Sequence, residues 1–214
     1  MVLDEAETRS LIDAQLRDAG WEADTVNLRF SKGVRPEAGR NLAIAEWPTA
    51  SGPADYVLFA GMTAIAVVEA KKFGTDVASV WGQAERYSLG YQVQADEALP
   101  APIQTGTTVF AGWLAGHATV TGATHYRIPF VFASNGRPYH RQFLTRSGVW
   151  FRDVRSPTNH AAALDGWHTP EGLLRLLAMD VGAAEQALTA EPFGYLNLRD
   201  YLRAGRACAA AGAA

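Results

Sequence analysis

The feature that most constrains the fold is an apolar run, Ile65-Ala66-Val67-Val68, that ends in the charged sequence Glu69-Ala70-Lys71. An uninterrupted apolar run rich in β-branched residues is typical of a strand that is buried on both faces in the middle of a sheet. Two further strands are predicted just before it, over residues 41–47 and 55–60. The pattern therefore predicts a sheet whose central strand covers residues 63–71.

Helical patterns flank these strands, over residues 3–19 and 75–92. Downstream, Asn135-Gly136 is the strongest hairpin signal in the sequence, and we expect it to connect strands over residues 127–134 and 138–144. Weaker strand candidates are predicted at residues 109–114, 118–120 and 149–154.

The C-terminal part changes character to Leu- and Ala-rich helices, predicted over residues 170–179, 183–190 and 197–207. We therefore predict an α/β protein in which a mixed central sheet is flanked by helices and followed by a helical C-terminal tail. Its predicted organisation is a domain over residues 1–160, a helical extension over 161–208 and a low-complexity tail over 209–214.

Composition and charge exclude several classes of protein. With 48% hydrophobic and 10% aromatic residues among 214, the chain can bury a core, which excludes general disorder. A formal net charge of −3 excludes a globally basic nucleic-acid coat but not a local basic face. The single cysteine, Cys208, permits no internal disulfide. No signal-peptide pattern or membrane-length apolar run is present, so we expect a cytoplasmic protein without a membrane partner.

Two carboxylates and a lysine form the candidate chemical site. Glu69 and Lys71 point to the same face because side chains alternate along a strand, and Asp55 can reach the same end of the sheet if its strand pairs alongside. Converging carboxylates favour Mg²⁺, which Mn²⁺ can replace, and a nearby ammonium can orient a water and offset phosphate charge. Such a site is suited to hydrolysis of a phosphodiester. A solvated, salt-linked strand end is the alternative interpretation.

The sequence around these residues resembles the PD-(D/E)XK nuclease superfamily. Pro53-Ala54-Asp55 is followed after 13 residues by Glu69-Ala70-Lys71, similar to the Asp…Glu-x-Lys core of that superfamily, although the proline stands one place earlier than usual. On the next helix, the i, i+4 pair Gln83 and Tyr87 resembles the Gln-x-x-x-Tyr motif of one branch. The resemblance implies catalytic roles for Asp55, Glu69, Lys71, Gln83 and Tyr87. An ordinary core tyrosine with a flanking glutamine is the alternative for the helix pair.

A broader resemblance, to the R (motor) subunits of type I restriction endonucleases, covers nearly the whole chain in order. It is carried by Glu5-Ala6-Glu7-Thr8-Arg9, Ala45-Glu46-Trp47-Pro48, Asp55-Tyr56-Val57-Leu58, residues 129–136, Trp150-Phe151-Arg152-Asp153 and Leu198-Arg199-Asp200-Tyr201. In that family this region is an N-terminal nuclease domain ahead of an ATP-driven translocase. The resemblance implies double-stranded DNA as substrate, together with methyltransferase and specificity subunits as partners.

The same resemblance implies further metal ligands and a limit on this chain. The carbonyl of Ala70 and the carboxylate of Glu7 are implied as ligands beside Asp55 and Glu69, although an acid in a first helical turn is also favoured by the helix dipole. No Gly-x-x-x-x-Gly-Lys-Ser/Thr sequence is present. We therefore expect ATP to bind only to the full-length family subunit and not to this chain.

Basic residues cluster in two stretches of the sequence. Between residues 127 and 155 six arginines stand against one acid, and the loop over residues 29–40 holds four basic residues and one acid. A local excess of positive charge is typical of a surface that binds phosphates, and protection of a sheet edge is the alternative. The predicted DNA-binding residues are Arg29, Lys32, Arg35, Lys72, Arg137 and Arg141.

The sequence thus predicts a Mg²⁺-dependent endodeoxyribonuclease domain of the type I restriction R-subunit kind. Two rivals remain open. One is a non-catalytic module of the same fold that docks on DNA or on partner subunits, and that would bind no metal. The other is a repair or recombination nuclease outside any restriction system, which the neighbouring genes would identify.

Overall fold

A mixed β-sheet forms the centre of the computed structural model, which describes residues 4–77, 81–92, 113–114 and 125–191. The described strands are β1 (Glu22–Ala23), β2 (Asn41–Trp47), β3 (Ala54–Ala60), β4 (Thr63–Ala70), β5 (Trp113–Leu114), β6 (His125–Tyr126), β7 (Phe130–Ser134), β8 (Val149–Asp153) and β9 (Ala162–Leu164). Seven of them form one sheet in the order β1-β2-β3-β4-β7-β8-β9, and β5 pairs separately with β6. The pairs β1–β2 and β4–β7 are parallel, whereas the other pairs are antiparallel.

The central position of β4 explains its apolar sequence. β4 lies between β3 and β7, and its residues 64–69 are all buried. Val67 packs on one face with helix α2 (Trp81–Leu89), and Val68 packs on the other face with helix α1 (Glu5–Asp18). Each fully buried valine contributes roughly 2 kcal/mol. The predicted mixed sheet flanked by helices is therefore confirmed, with a central strand covered on both sides.

The two helices next to the sheet have well-defined ends. α1 begins at Glu5 because the Asp4 carboxylate accepts a hydrogen bond from the Glu7 amide at 2.8 Å, while the Glu7 carboxylate accepts one from the Asp4 amide at 2.9 Å. α2 ends at Leu89, after which the Gly90 carbonyl accepts from the Ala50 amide at 2.8 Å and Tyr91 forms a β-bridge with Thr49. The helix therefore ends three residues before the end of the predicted helix over residues 75–92.

The predicted hairpin at Asn135-Gly136 is wrong. β7 pairs with β8, so Ser134 lies opposite Val149 and residues 135–148 form a loop without a strand at 138–144. The Asn135 side chain contacts a distant segment, because its Nδ2 donates to the Thr75 carbonyl at 2.7 Å. This long-range contact competes with the local turn that the dipeptide favours.

The chain divides into two compact units, Met1–Leu177 and Ala178–Ala214. The first holds the sheet, and Leu173 of helix α3 (Pro170–Ala178) is buried in it. In the second, helix α4 (Val181–Ala190) is capped by the Asp180 carboxylate, which accepts from the Ala183 amide at 2.9 Å.

The predicted functional boundary at residue 160 lies inside the first unit and stays a prediction. The strand candidate over 118–120, the helix over 197–207 and the tail over 209–214 lie outside the described residues. No helix in the described part of the chain is long and apolar enough to cross a membrane.

Candidate active site

Two neighbouring strand ends bring the predicted carboxylates together. β3 and β4 are antiparallel, with Tyr56 opposite Val68, so Asp55 at the start of β3 lies beside Glu69 at the end of β4. The side chain of Glu69 is 1% exposed and that of Asp55 is 14% exposed. Asp55 Oδ2 accepts a hydrogen bond from the Ala70 amide at 2.7 Å, which fixes the carboxylate against the end of β4.

A chain of polar contacts connects these carboxylates to α2. Lys71 Nζ forms an ion pair with Glu69 Oε1 and donates to Gln83 Oε1 at 2.9 Å. Gln83 Nε2 in turn donates to the Tyr87 hydroxyl at 3.1 Å, one helical turn further on. The five side chains Asp55, Glu69, Lys71, Gln83 and Tyr87 therefore form one cluster, which we call the carboxylate site.

Burial and mutual repulsion dominate the electrostatics of the carboxylate site. Burial raises the pKa of Asp55 to about 6, the negative charge of Glu69 adds to this increase, and the Arg9 guanidinium opposes it. Burial, followed by the charge of Glu69, also raises the pKa of the Tyr87 hydroxyl above its ordinary value. Tyr87 is therefore a neutral hydroxyl at physiological pH. Arg9 pairs with Asp55 and Lys71 pairs with Glu69, but each cation contacts only one oxygen of its carboxylate.

The oxygen atoms of the site fit a hard divalent cation. Glu69 Oε2 is buried and has no hydrogen-bond partner in the described part of the structure, which is costly for a carboxylate oxygen. Mg²⁺ takes one or two protein carboxylates and keeps several waters. Among the described residues no group of three or more histidine, cysteine, aspartate or glutamate side chains could hold a metal ion. The fit therefore rests on the Asp55–Glu69 pair.

Arg9 is a site residue that the sequence patterns did not predict. Its Nη2 forms an ion pair and hydrogen bond with Asp55 Oδ1, and its side chain is 18% exposed. Arg9 lies on the same face of α1 as the buried Ile12 and Leu16. A basic residue on a buried helical face is the signal that could have identified it, because a buried guanidinium requires an acidic partner.

Glu7 is not brought to the two carboxylates. Its exposed side chain accepts the hydrogen bond from the Asp4 amide at the start of α1. The Ala70 amide contacts Asp55, and its carbonyl belongs to the same strand end. The roles of Glu7 and of the Ala70 carbonyl as metal ligands stay predictions.

The predicted DNA-binding residues occupy different environments. Lys72, which follows Lys71 in the sequence, is exposed, and so is Arg141. The Arg137 guanidinium lies 5.3 Å from the centre of the Phe73 ring. Elsewhere, Arg29 pairs with Glu46 at 3.2 Å.

The remaining two basic residues of that set lie in the loop before β2. Lys32 is exposed, and the Arg35 guanidinium packs 3.9 Å from the centre of the Phe30 ring. DNA contact by all six residues stays a prediction.

Comparison with known proteins gives three findings. Residues 22–177 match the family described as type I restriction enzyme EcoKI endonuclease subunit second domain. The chain is 41% identical over 213 residues to the type I restriction enzyme EcoKI endonuclease subunit of Escherichia coli (strain K12), an alignment that covers 93% of this chain. It is also similar to a solved fragment of a putative HsdR subunit of a type I restriction enzyme from Vibrio vulnificus YJ016, with 19% identity, a TM-score of 0.43 and 83% of this chain covered.

The chain spans only part of these proteins. The alignments cover 18% of the length of the Escherichia coli subunit and 26% of the Vibrio vulnificus chain.

Proposed function

The chain belongs to the family of the second domain of type I restriction enzyme endonuclease subunits, and on that premise we propose that it is a metal-dependent endodeoxyribonuclease domain of the PD-(D/E)XK fold. The observation that carries the proposal is the buried Asp55–Glu69 pair, in which Glu69 Oε2 lacks a partner and Asp55 has a pKa raised to about 6. A pair of carboxylates that repel each other in a protein interior is stabilised by a bound cation.

We propose that Mg²⁺, or Mn²⁺ in its place, is held by Asp55, Glu69 and the Ala70 carbonyl. When bound, the ion supplies Lewis-acid polarisation of a phosphodiester and offsets the negative charge of the phosphate. Glu7 becomes a further ligand only if its side chain leaves the Asp4 amide.

The proposed role of Lys71 is to hold the attacking water and to place positive charge beside the phosphate. Its ammonium carries three donors, of which the structure uses contacts to Glu69 and Gln83. Gln83 fixes the position of Nζ, and Tyr87 fixes the Gln83 amide by accepting from its Nε2. Together these contacts give the ammonium a defined direction before any substrate arrives, which is how fixed charges contribute to catalysis.

The wider context follows from the family and is also proposed. We propose that double-stranded DNA is the substrate and that the chain works in the cytoplasm within a restriction complex containing methyltransferase and specificity subunits. ATP hydrolysis would belong to other parts of a full-length subunit.

The first experiment is calorimetric titration of Mn²⁺ into the purified protein and into the Asp55→Asn variant. We expect saturable binding by the wild type and its loss in the variant, because an amide does not replace an anionic ligand. Asp165→Asn is the matched control, since Asp165 is an exposed acid outside the site. Folded wild-type protein that binds no Mn²⁺ would contradict the metal site and would favour the non-catalytic docking module.

A further inference from the structure

The loop over residues 135–148 emerges beside the carboxylate site. β4 and β7 run parallel with Ala70 opposite Ser134, so the chain leaves β7 at the same end of the sheet where Lys71 follows β4. The Lys71 amide donates to the Ser134 carbonyl at 2.7 Å, and Asn135 Nδ2 donates to the Thr75 carbonyl at 2.7 Å. The base of the loop is thereby attached to the segment that carries Lys71.

The loop is closed at its base. The Asn135 amide donates to the Gly148 carbonyl at 3.0 Å, and the His140 amide donates to Ser147 Oγ at 2.9 Å. A Cβ at position 148 would lie 2.1 Å from the Arg137 carbonyl oxygen, so only glycine permits this close approach. The loop therefore holds its outer residues in a defined position.

Residues 141–146, which we call the loop tip, are all exposed. Phe143 is 54% exposed and Leu144 is 48% exposed. The ring centre of Phe143 lies 5.3 Å from that of His140 and 5.2 Å from the guanidinium carbon of Arg146. The Phe143 amide also donates to the His140 carbonyl at 3.2 Å. An aromatic side chain is thus presented to solvent in an ordered position, which lowers the entropy cost of binding a partner.

The charge of the loop indicates the chemistry of that partner. Residues 135–148 contain Arg137, Arg141 and Arg146 and no acidic residue. An exposed aromatic ring between arginines suits a ligand that offers planar rings and phosphates together, and DNA with unpaired bases offers both.

We propose that the loop tip binds the DNA substrate where a base is unpaired, with Phe143 stacking on that nucleobase and Arg141 and Arg146 contacting phosphates. The proposal rests on the proposed nuclease function, because it is DNA held at the carboxylate site that the loop tip would reach. It assigns DNA contact to Phe143 and Arg146 in addition to the predicted Arg137 and Arg141.

The test is fluorescence anisotropy with a short fluorescein-labelled DNA duplex that carries a single-stranded overhang, measured in EDTA so that binding is independent of the metal. We expect Phe143→Ala to weaken binding by about 5- to 100-fold, as for other base-stacking aromatics. Phe143→Tyr should retain most of the affinity because the ring is kept. Leu174→Ala, which truncates a 43% exposed leucine on α3, is the matched control and should bind as the wild type does.

Salt dependence separates the ring from the charges. Arg141→Ala and Arg146→Ala should each reduce the slope of log K against log salt concentration by about 1, whereas Phe143→Ala should leave that slope unchanged. Thermal melting of each variant confirms that it is folded.

Several results would overturn the proposal. Equal affinities of Phe143→Ala and the wild type would assign the exposed ring to another partner, such as a protein surface. Wild-type protein that binds Mn²⁺ through Asp55 but binds no DNA would overturn the loop-tip proposal and leave the metal site intact. Wild-type protein that binds no Mn²⁺ but binds DNA through Phe143 would instead contradict the proposed nuclease function and leave the loop-tip proposal intact.

Discussion

Two sites next to β3 contain buried carboxylates, and they differ in whether every carboxylate oxygen has a hydrogen-bond partner. In the first, which we call the Asp13 cluster, Asp13 accepts hydrogen bonds from the Thr25 amide at 2.7 Å, the Thr25 hydroxyl at 2.8 Å and the Tyr56 hydroxyl at 2.9 Å. In the carboxylate site, by contrast, Glu69 Oε2 has no partner in the described structure. Burial is similar, since Asp13 is 6% exposed and Glu69 is 1% exposed.

The difference separates a structural acid from an acid available for chemistry. Neutral donors around Asp13 stabilise one negative charge and fix α1 against β3. That attachment also holds Arg9, one turn earlier on α1, beside Asp55. Around Glu69 and Asp55 the donors come from Arg9, Lys71 and the Ala70 amide, and they leave Glu69 Oε2 without a partner, so this region gains most from a cation. Substitutions in the two clusters should therefore have different consequences.

Removal of the Lys71 ammonium should have the largest effect, and it should be on cleavage rather than on metal binding. We expect Lys71→Ala to lower the rate of plasmid cleavage in Mn²⁺ by roughly 10²- to 10³-fold, because a positioned positive charge beside the phosphate is lost. Metal affinity, measured by calorimetry, should stay close to that of the wild type. Arg175→Ala is the control and should cleave nearly normally, since Arg175 is an exposed basic residue on α3 and lies outside the contact chain.

That prediction fails if Lys71→Ala loses metal binding and unfolds together. Lys71 would then be a structural partner of Glu69, and the carboxylate site would resemble the Asp13 cluster.

Truncation of Asp13 should reduce stability where neutralisation of Glu69 does not. Asp13→Ala removes the acceptor of three buried donors, of which the Thr25 and Tyr56 hydroxyls can still pair with each other at 2.7 Å, so we expect the free energy of unfolding to fall by about 2 kcal/mol. Glu69→Gln keeps the shape and removes one of two repelling charges, so we expect a change below about 1 kcal/mol together with loss of Mn²⁺ binding. Urea unfolding without metal measures both. Equal destabilisation by the two substitutions would remove the distinction between the clusters.

Metal binding should depend on pH because Asp55 must be ionised to act as a ligand. With the pKa of Asp55 raised to about 6, Mn²⁺ affinity should fall about tenfold between pH 7 and pH 5. Calorimetry at both pH values tests this, with the buffer's proton uptake subtracted. An affinity that is constant over this range would show that Asp55 is ionised throughout.

The same titration affects stability with a defined sign. Because the pKa of Asp55 is higher in the folded protein than the ordinary value of about 4, the folded state holds the proton to higher pH. The associated stability is fully present below about pH 4 and is lost as the pH rises to about 6. The metal-free wild type should therefore lose stability over that window relative to Asp55→Asn, as urea unfolding at each pH would show.

The sequence predicted the parts of the site that depend on local pattern. β4 and its charged end follow from apolar composition, and the i, i+4 spacing of Gln83 and Tyr87 follows from the helical repeat. Arg9 could not be placed at Asp55, because that contact depends on how α1 packs on the sheet. The hairpin prediction failed for a related reason, since Asn135 contacts Thr75 across the fold.

The count of basic residues over 127–155 also missed a contact that depends on the fold. Arg152 adds to the positive charge of residues 127–155, but in the structure it forms an ion pair with Glu85 of α2. Glu85, a partner distant in sequence, offsets the charge of Arg152, and a count of charges within residues 127–155 cannot show this.

Backbone strain next to Asp55 gives the smallest predicted effect. Glu46 has a left-handed φ of 53°. Its neighbours Ala45 and Trp47 pair with Tyr56 and Ala54 of β3, so Glu46 lies opposite Asp55 on the neighbouring strand. A non-glycine residue in this conformation costs about 1 kcal/mol.

Because Glu46→Gly and Glu46→Ala both lose the ion pair with Arg29, the difference in their stability isolates the cost of the left-handed backbone. We expect the glycine variant to be more stable than the alanine variant by about 1 kcal/mol in urea unfolding. If the strained backbone also positions Asp55, the glycine variant should bind Mn²⁺ more weakly than the alanine variant despite its greater stability. A glycine variant that is no more stable than the alanine variant would show that this part of β2 carries no strain.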